Sequence, residues 1–153
     1  MQQVTIQVDD PASPEARLLI AQLDGYLTKL YPAESNYLLS IDDLKQPNVS
    51  FLTARVGGKI VGCGAFVDHK REYAEIKRMF VLPEHRGQKI GFRILQELER
   101  RAQRDGLALI RLETGVLQAE ALKLYERAGY HCCGPFGTYR RDDPLIVFYE
   151  KMA

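Results

Sequence analysis

A long amphipathic segment between two β-rich segments constrains the fold of this chain more than any other feature. Residues 88–105 carry five apolar side chains on one helical stripe, namely Ile90, Ile94, Leu95, Leu98 and Ala102. Residues 72–82 precede this segment and residues 107–114 follow it, and both are rich in strand-forming side chains. Parallel strands need a crossover of about this length, usually a helix. We therefore expect one parallel pair of strands here.

The remaining strand signals predict antiparallel pairing around that crossover. Residues 49–56 and 59–67 are two β-rich segments joined by Gly57-Gly58, which is typical of a hairpin. Three further segments show strand patterns: residues 4–8, 130–138 and 145–151. The sheet is therefore predicted to be mixed and mostly antiparallel, with about seven strands.

Three more helices are predicted from capping residues and apolar spacing. Ser13 can cap a helix that begins at Pro14 and ends before Pro32. This helix carries five leucines at helical spacing, Leu18, Leu19, Leu23, Leu27 and Leu30. The other two helices span residues 35–44 and 119–128. The predicted order is β-α-α-β-β-β-α-β-α-β-β, an α/β (α+β) fold with four helices flanking the sheet.

Composition excludes several classes of function. The chain has 153 residues, which predicts a single domain over residues 1–153. Its 21 basic and 20 acidic residues leave a net charge of +1, which argues against nucleic acid or a membrane as the partner. Three cysteines, and no secretory pattern in residues 1–10, predict reduced thiols and a cytoplasmic location. The histidines and cysteines lack metal-ligand spacing, so no metal site is predicted.

The segment from Val81 to Gly91 carries the strongest functional signal from the residues themselves. A strand ends, a turn containing Gly87 follows, and the long helix begins. Amide hydrogens at a helix start can bind an anion, and Arg86 adds a positive charge. The alternative is an ordinary strand-to-helix turn in which glycine and arginine are incidental. The segment contains neither a nucleoside-triphosphate P-loop nor a dinucleotide fingerprint.

Two motifs resemble those of the GNAT N-acetyltransferase superfamily. Residues 86–91, set after Met79-Phe80-Val81, are similar to its motif A, [QR]-x-x-G-x-[GA], and residues 121–130 are similar to its A-x-x-L-Y-x-x-x-G-[FY] segment. Lys89 departs from the middle glycine of the first motif, and Gln118 stands where many members have asparagine. Residues 62–65, 75–79 and 112–115 further resemble a bacterial subgroup often labelled indole-3-acetate acetyltransferase-like.

This resemblance implies an acetyl-CoA-dependent N-acetyltransferase that uses direct attack by a primary amine in a ternary complex. The acceptor is then a small molecule or an amino acid, and a homodimer is common among relatives. Two alternatives stay open: an acyl-CoA-binding sensor without turnover, and a protein or peptide N-acetyltransferase. The coenzyme-binding residues implied by position are Met79, Phe80, Val81, Arg86, Gly87, Gln88, Lys89, Ile90, Gly91, Phe92, Gln118 and Tyr125.

The chemistry of acetyl transfer needs a base and an acid. An alkyl ammonium has a pKa of about 10.4 and must lose a proton, while the departing thiolate must gain one. Tyr125 matches the tyrosine that acts as the general acid in the family. The alternative is that Tyr125 is an aromatic residue of the core without a catalytic role. Glu75 matches the base of one branch and Glu113 that of another, and we favour Glu75 as the base. Strict alternation would place Glu75, Lys77, Met79 and Val81 on one face of their strand.

The acceptor site is also predicted by analogy with the family. It would lie between residues 30–40, the loop of residues 115–118 and the turn of residues 136–144. Tyr31, Glu113, Phe136 and Tyr139 are the predicted acceptor-binding residues. The resemblance further implies that the strands of residues 72–82 and 107–114 separate locally to admit the thioester.

Overall fold

The computed structural model describes residues 3–153 of the chain. Within them the strands are β1 Val4–Val8, β2 Val49–Val56, β3 Lys59–His69, β4 Tyr73–Val81, β5 Leu109–Gly115, β6 His131–Cys132 and β7 Ile146–Met152. The α-helices are α1 Pro14–Leu30, α2 Ile41–Leu44, α3 Ile90–Arg104 and α4 Ala119–Arg127. The predicted order of elements is confirmed.

The strands form one mixed sheet in the order β1-β2-β3-β4-β5-β7-β6. β4 and β5 pair in parallel across the α3 crossover, and the other neighbouring pairs of described strands are antiparallel. Gly57 and Gly58 make the β2–β3 turn with φ angles of 58° and 81°, which glycine adopts without a steric cost. The mixed, mostly antiparallel sheet is therefore confirmed.

Helices cover both faces of the sheet and bury a separate core on each. On one face, α1 and α2 pack on the sheet through Ala16, Leu19, Ile20, Leu23 and Leu44. On the other face, the apolar stripe of α3 packs with Tyr125 of α4, and the five stripe residues predicted from sequence are buried. The sheet is thus the middle of three layers.

Three local predictions were wrong. Leu18 is 70% exposed, because α1 buries the stripe that runs from Ala16 through Leu19, Ile20 and Leu23 instead. The second helix is only Ile41–Leu44, because Ser40 and Asp43 form a capping box that starts a helix there. The strand predicted over residues 130–138 ends after two residues, since Gly134 and Pro135 follow and proline has no amide hydrogen for the ladder.

A β-bulge interrupts β4 at Arg78. Cys63 of β3 lies opposite Phe80 and Ala65 lies opposite Lys77, so β4 carries one extra residue between these pairs. Arg78 has a φ of 59°, in the left-handed region. The bulge reverses the alternation of side chains, because Ile76 and Met79 now both pack toward α3. The prediction that Glu75, Lys77, Met79 and Val81 share one face is therefore wrong.

β4 and β5 separate just before the bulge. Their parallel register covers three pairs and ends at Ile76 opposite Leu112. β4 then continues to Val81 and β5 to Gly115 without pairing with each other. The local separation that the family resemblance implies is confirmed.

Candidate active site

The separation of β4 and β5 opens a cleft. α1 and residues 35–38 form one wall, and the ends of β4 and β5 with the start of α4 form the other. Five of the residues predicted for the site line this cleft, namely Tyr31, Met79, Glu113, Gln118 and Tyr125. The structure therefore brings the predicted acid and one of the two predicted bases into one cavity.

Tyr125 reaches the cleft from α4 and is 6% exposed. Its ring packs edge-on against Tyr130, with ring centroids 5.9 Å apart. Its hydroxyl makes no hydrogen bond to any residue among 3–153. Burial raises the pKa of this phenol above its usual value of 10.0, and the nearby charge of Glu113 adds to the effect. The hydroxyl therefore stays protonated at neutral pH and is free to donate.

Glu113 is the first β5 residue beyond the segment that pairs with β4. Burial raises the pKa of its carboxyl from 4.5 to about 7. Lys77 opposes this rise, whereas the negative charges of Glu75 and Asp143 increase it. A carboxyl that titrates near pH 7 can accept a proton and release it again under ordinary conditions.

Glu75 lies outside the residues that line the cleft, and its carboxylate is already engaged. Nε2 of His69 lies 2.8 Å from Oε1 of Glu75, and the Tyr139 hydroxyl donates a hydrogen bond to Oε2. The carboxylate is buried, with a side-chain exposure of 6%. Both oxygens therefore hold neighbouring side chains in place.

Lys77 is a cleft residue that sequence reasoning missed. Its Nζ donates to the Tyr37 carbonyl oxygen at 2.9 Å and to the Tyr139 hydroxyl at 2.8 Å. Burial lowers the pKa of this ammonium, while the charges of Glu75 and Glu113 act in the opposite direction. In the sequence, Lys77 is only a strand lysine between Glu75 and Met79. A lysine in such a position is more often exposed to solvent.

Tyr31 joins the end of α1 to the loop between β5 and α4. The Leu117 amide donates to its hydroxyl at 3.0 Å, and the hydroxyl donates to Oε1 of Gln118 at 3.4 Å. Oε1 of Gln118 also accepts from the Gly115 amide at 3.3 Å. A Cβ on Gly115 would lie 1.9 Å from the Tyr31 hydroxyl, so this approach requires glycine. The predicted ligand-binding roles of Tyr31 and Gln118 stay predictions.

The turn before α3 presents free amides to solvent. The backbone amides of residues 89–92 donate no hydrogen bond to another backbone group within the described part of the chain. Gly87 and Lys89 have φ angles of 83° and 63°, so Lys89 takes the left-handed conformation that the motif's glycine would favour. Arg86 is held beside this turn, because its Nε donates to the Val81 carbonyl oxygen at 3.0 Å. Free amides and a guanidinium suit an anion.

The two other predicted acceptor residues lie beside the cleft rather than in its wall. Phe136 is buried in a cluster with Tyr73, Ile146 and Phe148. Tyr139 packs edge-on against Tyr37 and contacts Lys77. Their roles in binding the acceptor stay predictions. In residues 3–153, no group of three or more His, Cys, Asp and Glu side chains could hold a metal ion, and no helix is long and apolar enough to cross a membrane.

Comparisons with known proteins agree on one family. The model described as Acetyltransferase (GNAT) family matches residues 16–130. An IAA acetyltransferase of Azospirillum brasilense is 47% identical over 152 residues, covering 99% of both chains. The uncharacterised N-acetyltransferase YsnE of Bacillus subtilis (strain 168) is 31% identical, covering 95% of this chain and 97% of its own.

Solved structures have the same fold. An acyl-CoA N-acyltransferase assigned in Klebsiella pneumoniae has a TM-score of 0.84 at 36% identity, covering 98% of this chain and 97% of that one. The Salmonella typhimurium acetyltransferase yncA has a TM-score of 0.72 at 18% identity, covering 97% of this chain and 93% of that one. The separated strands, the amide turn and these full-length similarities lead to one conclusion. The chain belongs to the GNAT family of acetyltransferases.

Proposed function

We propose that this acetyltransferase moves the acetyl group of acetyl-CoA to the primary amine of a small molecule, by direct attack in a ternary complex. The observation that carries the proposal is that Glu113 and Tyr125 line one cleft where β4 and β5 separate. Structural neighbours with the same fold were solved with acetyl-CoA, including yncA and a streptothricin acetyltransferase from Bacillus anthracis.

The turn before α3 suits the coenzyme's pyrophosphate. The free amides of residues 89–92 would donate to phosphate oxygens, and Arg86 and Lys89 would supply positive charge. The unpaired edge of β4 from Met79 to Val81 leaves backbone groups for the amides of the pantetheine arm. Bound there, acetyl-CoA supplies an activated acetyl group as a thioester.

Glu113 and Tyr125 would move the two protons of the reaction. Glu113 takes a proton from the ammonium of the acceptor, and the free amine attacks the thioester carbon. A carbon–nitrogen bond forms and the carbon–sulfur bond breaks. Tyr125 donates its hydroxyl proton to the departing sulfur and regains a proton, through water, from the nitrogen that becomes the amide. Glu113 passes the first proton to solvent, so both side chains return to their starting state. We assign the base to Glu113 rather than Glu75 because Glu75 is engaged by His69 and Tyr139 outside the cleft.

One alternative is a protein that binds the coenzyme but does not catalyse acetyl transfer. The observation that favours it is that Lys89 replaces the middle glycine of the motif in residues 86–91. Lys89 nevertheless adopts a φ of 63°, so the turn keeps the shape that glycine would give it. The cleft also retains an acid and a base. A catalytic acetyltransferase therefore accounts for the residues better than a sensor does.

Coenzyme binding is tested first, by thermal unfolding with increasing acetyl-CoA. A ligand at 100 times its dissociation constant should stabilise the fold by about 2.7 kcal/mol. No stabilisation at millimolar acetyl-CoA would contradict the proposal. Thiol release across a panel of amines then tests turnover.

The acid is tested by Tyr125→Phe, which removes only the hydroxyl. We expect kcat to fall by about 10²–10⁴-fold while acetyl-CoA still stabilises the fold, because general acids usually contribute this much. Tyr73→Phe is the matched control, since Tyr73 is a buried tyrosine outside the cleft. Retention of kcat within about threefold in Tyr125→Phe would refute the assignment.

A further inference from the structure

Two neighbouring cations of β4 lie on the same side of the sheet. Consecutive strand residues normally point to opposite faces. At the bulge, however, Lys77 contacts Tyr37 in the segment after α1, and Arg78 contacts Asp24 of α1. Both cations line the cleft that also contains Glu113. The bulge thus places two positive charges in the wall of the cleft that contains the proposed base.

Arg78 is buried with only part of its guanidinium paired. Its side chain is 3% exposed, and Nη2 lies 2.6 Å from Oδ1 of Asp24. Nε and Nη1 are buried and have no hydrogen-bond partner among residues 3–153. Buried donors without a partner are costly, and most buried polar groups are paired. Two nitrogens of this guanidinium, which carry three N–H donors, therefore lack an acceptor among residues 3–153.

Lys77 is buried and, unlike Arg78, makes no ion pair with a carboxylate among residues 3–153. Its two hydrogen-bond partners, the Tyr37 carbonyl and the Tyr139 hydroxyl, are both uncharged. An ammonium has three N–H donors, so one remains for another group. Burying an ammonium without a contacting anion is energetically costly. An anionic group in the cleft would relieve this cost.

We propose that the acceptor carries an acidic group as well as its amine, and that Lys77 and Arg78 bind this group. The acidic group is a carboxylate or a phosphonate, since both accept charge-assisted hydrogen bonds from these cations. Lys77 offers the remaining donor and Arg78 provides a second positive charge in the same wall. The amine of such an acceptor is then placed toward Glu113. This inference rests on the proposed acetyltransferase function and names its substrate class.

Matched acceptor pairs test the inference on the wild-type enzyme. Thiol release is measured for a panel of α-amino acids, and each is compared with its neutral carboxamide. In the same way, 2-aminoethylphosphonate is compared with ethanolamine, which has no acidic group. For the acidic acceptor with the highest kcat/KM, we expect kcat/KM to exceed that of its neutral analogue by about 10- to 150-fold. This range corresponds to about 1.5–3 kcal/mol for one charged hydrogen bond. The two sets show whether the acid is a carboxylate or a phosphonate.

A variant pair assigns the preference to Lys77. Lys77→Gln should bring the ratio of acidic to neutral acceptor within about threefold of unity, and Lys77→Arg should restore part of it. Lys123→Gln is the matched control, because Lys123 is exposed on α4 outside the cleft. An unchanged ratio in Lys77→Gln would overturn the assignment. The wild-type comparison is decisive even if a variant does not fold.

Failure of the inference can be told apart from failure of the proposed function. Acetyl-CoA stabilisation with equal turnover of acidic and neutral amines would refute the acidic acceptor alone. No stabilisation by acetyl-CoA and no thiol release with any amine would refute both.

Discussion

Replacing Glu113 with glutamine is expected to inactivate the enzyme and, at alkaline pH, to stabilise its fold. The pKa of Glu113 rises from 4.5 to about 7 on folding, mainly through burial. At about 1.36 kcal/mol for each pH unit, ionising this carboxyl in the folded state costs roughly 3 kcal/mol more than in the unfolded state. Water in the cleft screens the charge, so this figure is an upper bound.

The sign of the effect follows from proton binding. Between pH 4.5 and about pH 7 the folded state holds the Glu113 proton more tightly than the unfolded state does. The free energy of unfolding therefore falls as the pH rises through this range, and the loss persists above it. Glu113→Gln removes the charge while keeping nearly the same shape. It should unfold at higher urea than wild type at pH 8, and the difference should shrink toward pH 4.5.

Urea unfolding and thiol release together make the assay. In wild type, kcat/KM should rise about tenfold for each pH unit below pH 7 and then level off, whereas Glu113→Gln should be about 10²–10⁴-fold slower. The same acceptor is used for both proteins, so titration of its amine cancels in the ratio. Glu75→Gln is the control with the opposite expectation for stability, because glutamine replaces one of the two carboxylate oxygens that contact His69 and Tyr139.

The result that would refute the reasoning is equally specific. A Glu113→Gln variant that keeps its activity within about threefold is incompatible with Glu113 as the base. A variant that is less stable than wild type at pH 8 would show that the carboxylate is favourably paired in the fold. If Glu75→Gln loses activity and Glu113→Gln does not, the base is Glu75.

Two further substitutions test the loops around the cleft. Gly115→Ala should lower the free energy of unfolding by about 1–3 kcal/mol, because the new Cβ would lie 1.9 Å from the Tyr31 hydroxyl. The control is Gly91→Ala, whose Cβ would meet its nearest neighbour at 3.5 Å and which should lower the free energy of unfolding by less than about 1 kcal/mol. Equal losses in urea unfolding would contradict the clash at Gly115. Lys89→Gly should raise the free energy of unfolding by about 1 kcal/mol by relieving a left-handed residue, yet weaken acetyl-CoA binding by removing a charge. Unchanged stability in Lys89→Gly would contradict the strain, and unchanged affinity would contradict the contact.

The order of elements was predictable because it depends on local patterns. Apolar spacing and capping residues act within a few positions, so α1 begins at Pro14 and the β2–β3 hairpin turns at Gly57-Gly58 as expected. The lengths of α2 and β6 were not predictable with the same accuracy. There, short capping and proline effects compete with weak periodicity.

The candidate site was predicted only in part, for a reason that lies in tertiary packing. Tyr125 and Glu113 could be found because motifs mark their positions. Lys77 and Arg78 could not, since a strand with two adjacent cations normally indicates a solvated edge. Their burial depends on α1 and on Tyr37 and Tyr139, which are distant in sequence. Only the fold brings those segments together.

One inserted residue explains why the cleft has its present form. A bulge ends regular pairing and redirects side chains, and β4 stops pairing with β5 two residues before Arg78. Gly64 of the neighbouring strand accommodates the redirected Met79, because a Cβ on Gly64 would lie only 2.5 Å from the Met79 sulfur. The same bulge brings Lys77 and Arg78 to one face. The separation of β4 from β5 and the two cations in the cleft wall therefore lie at a single local irregularity, and we expect a change that removed the bulge to alter both.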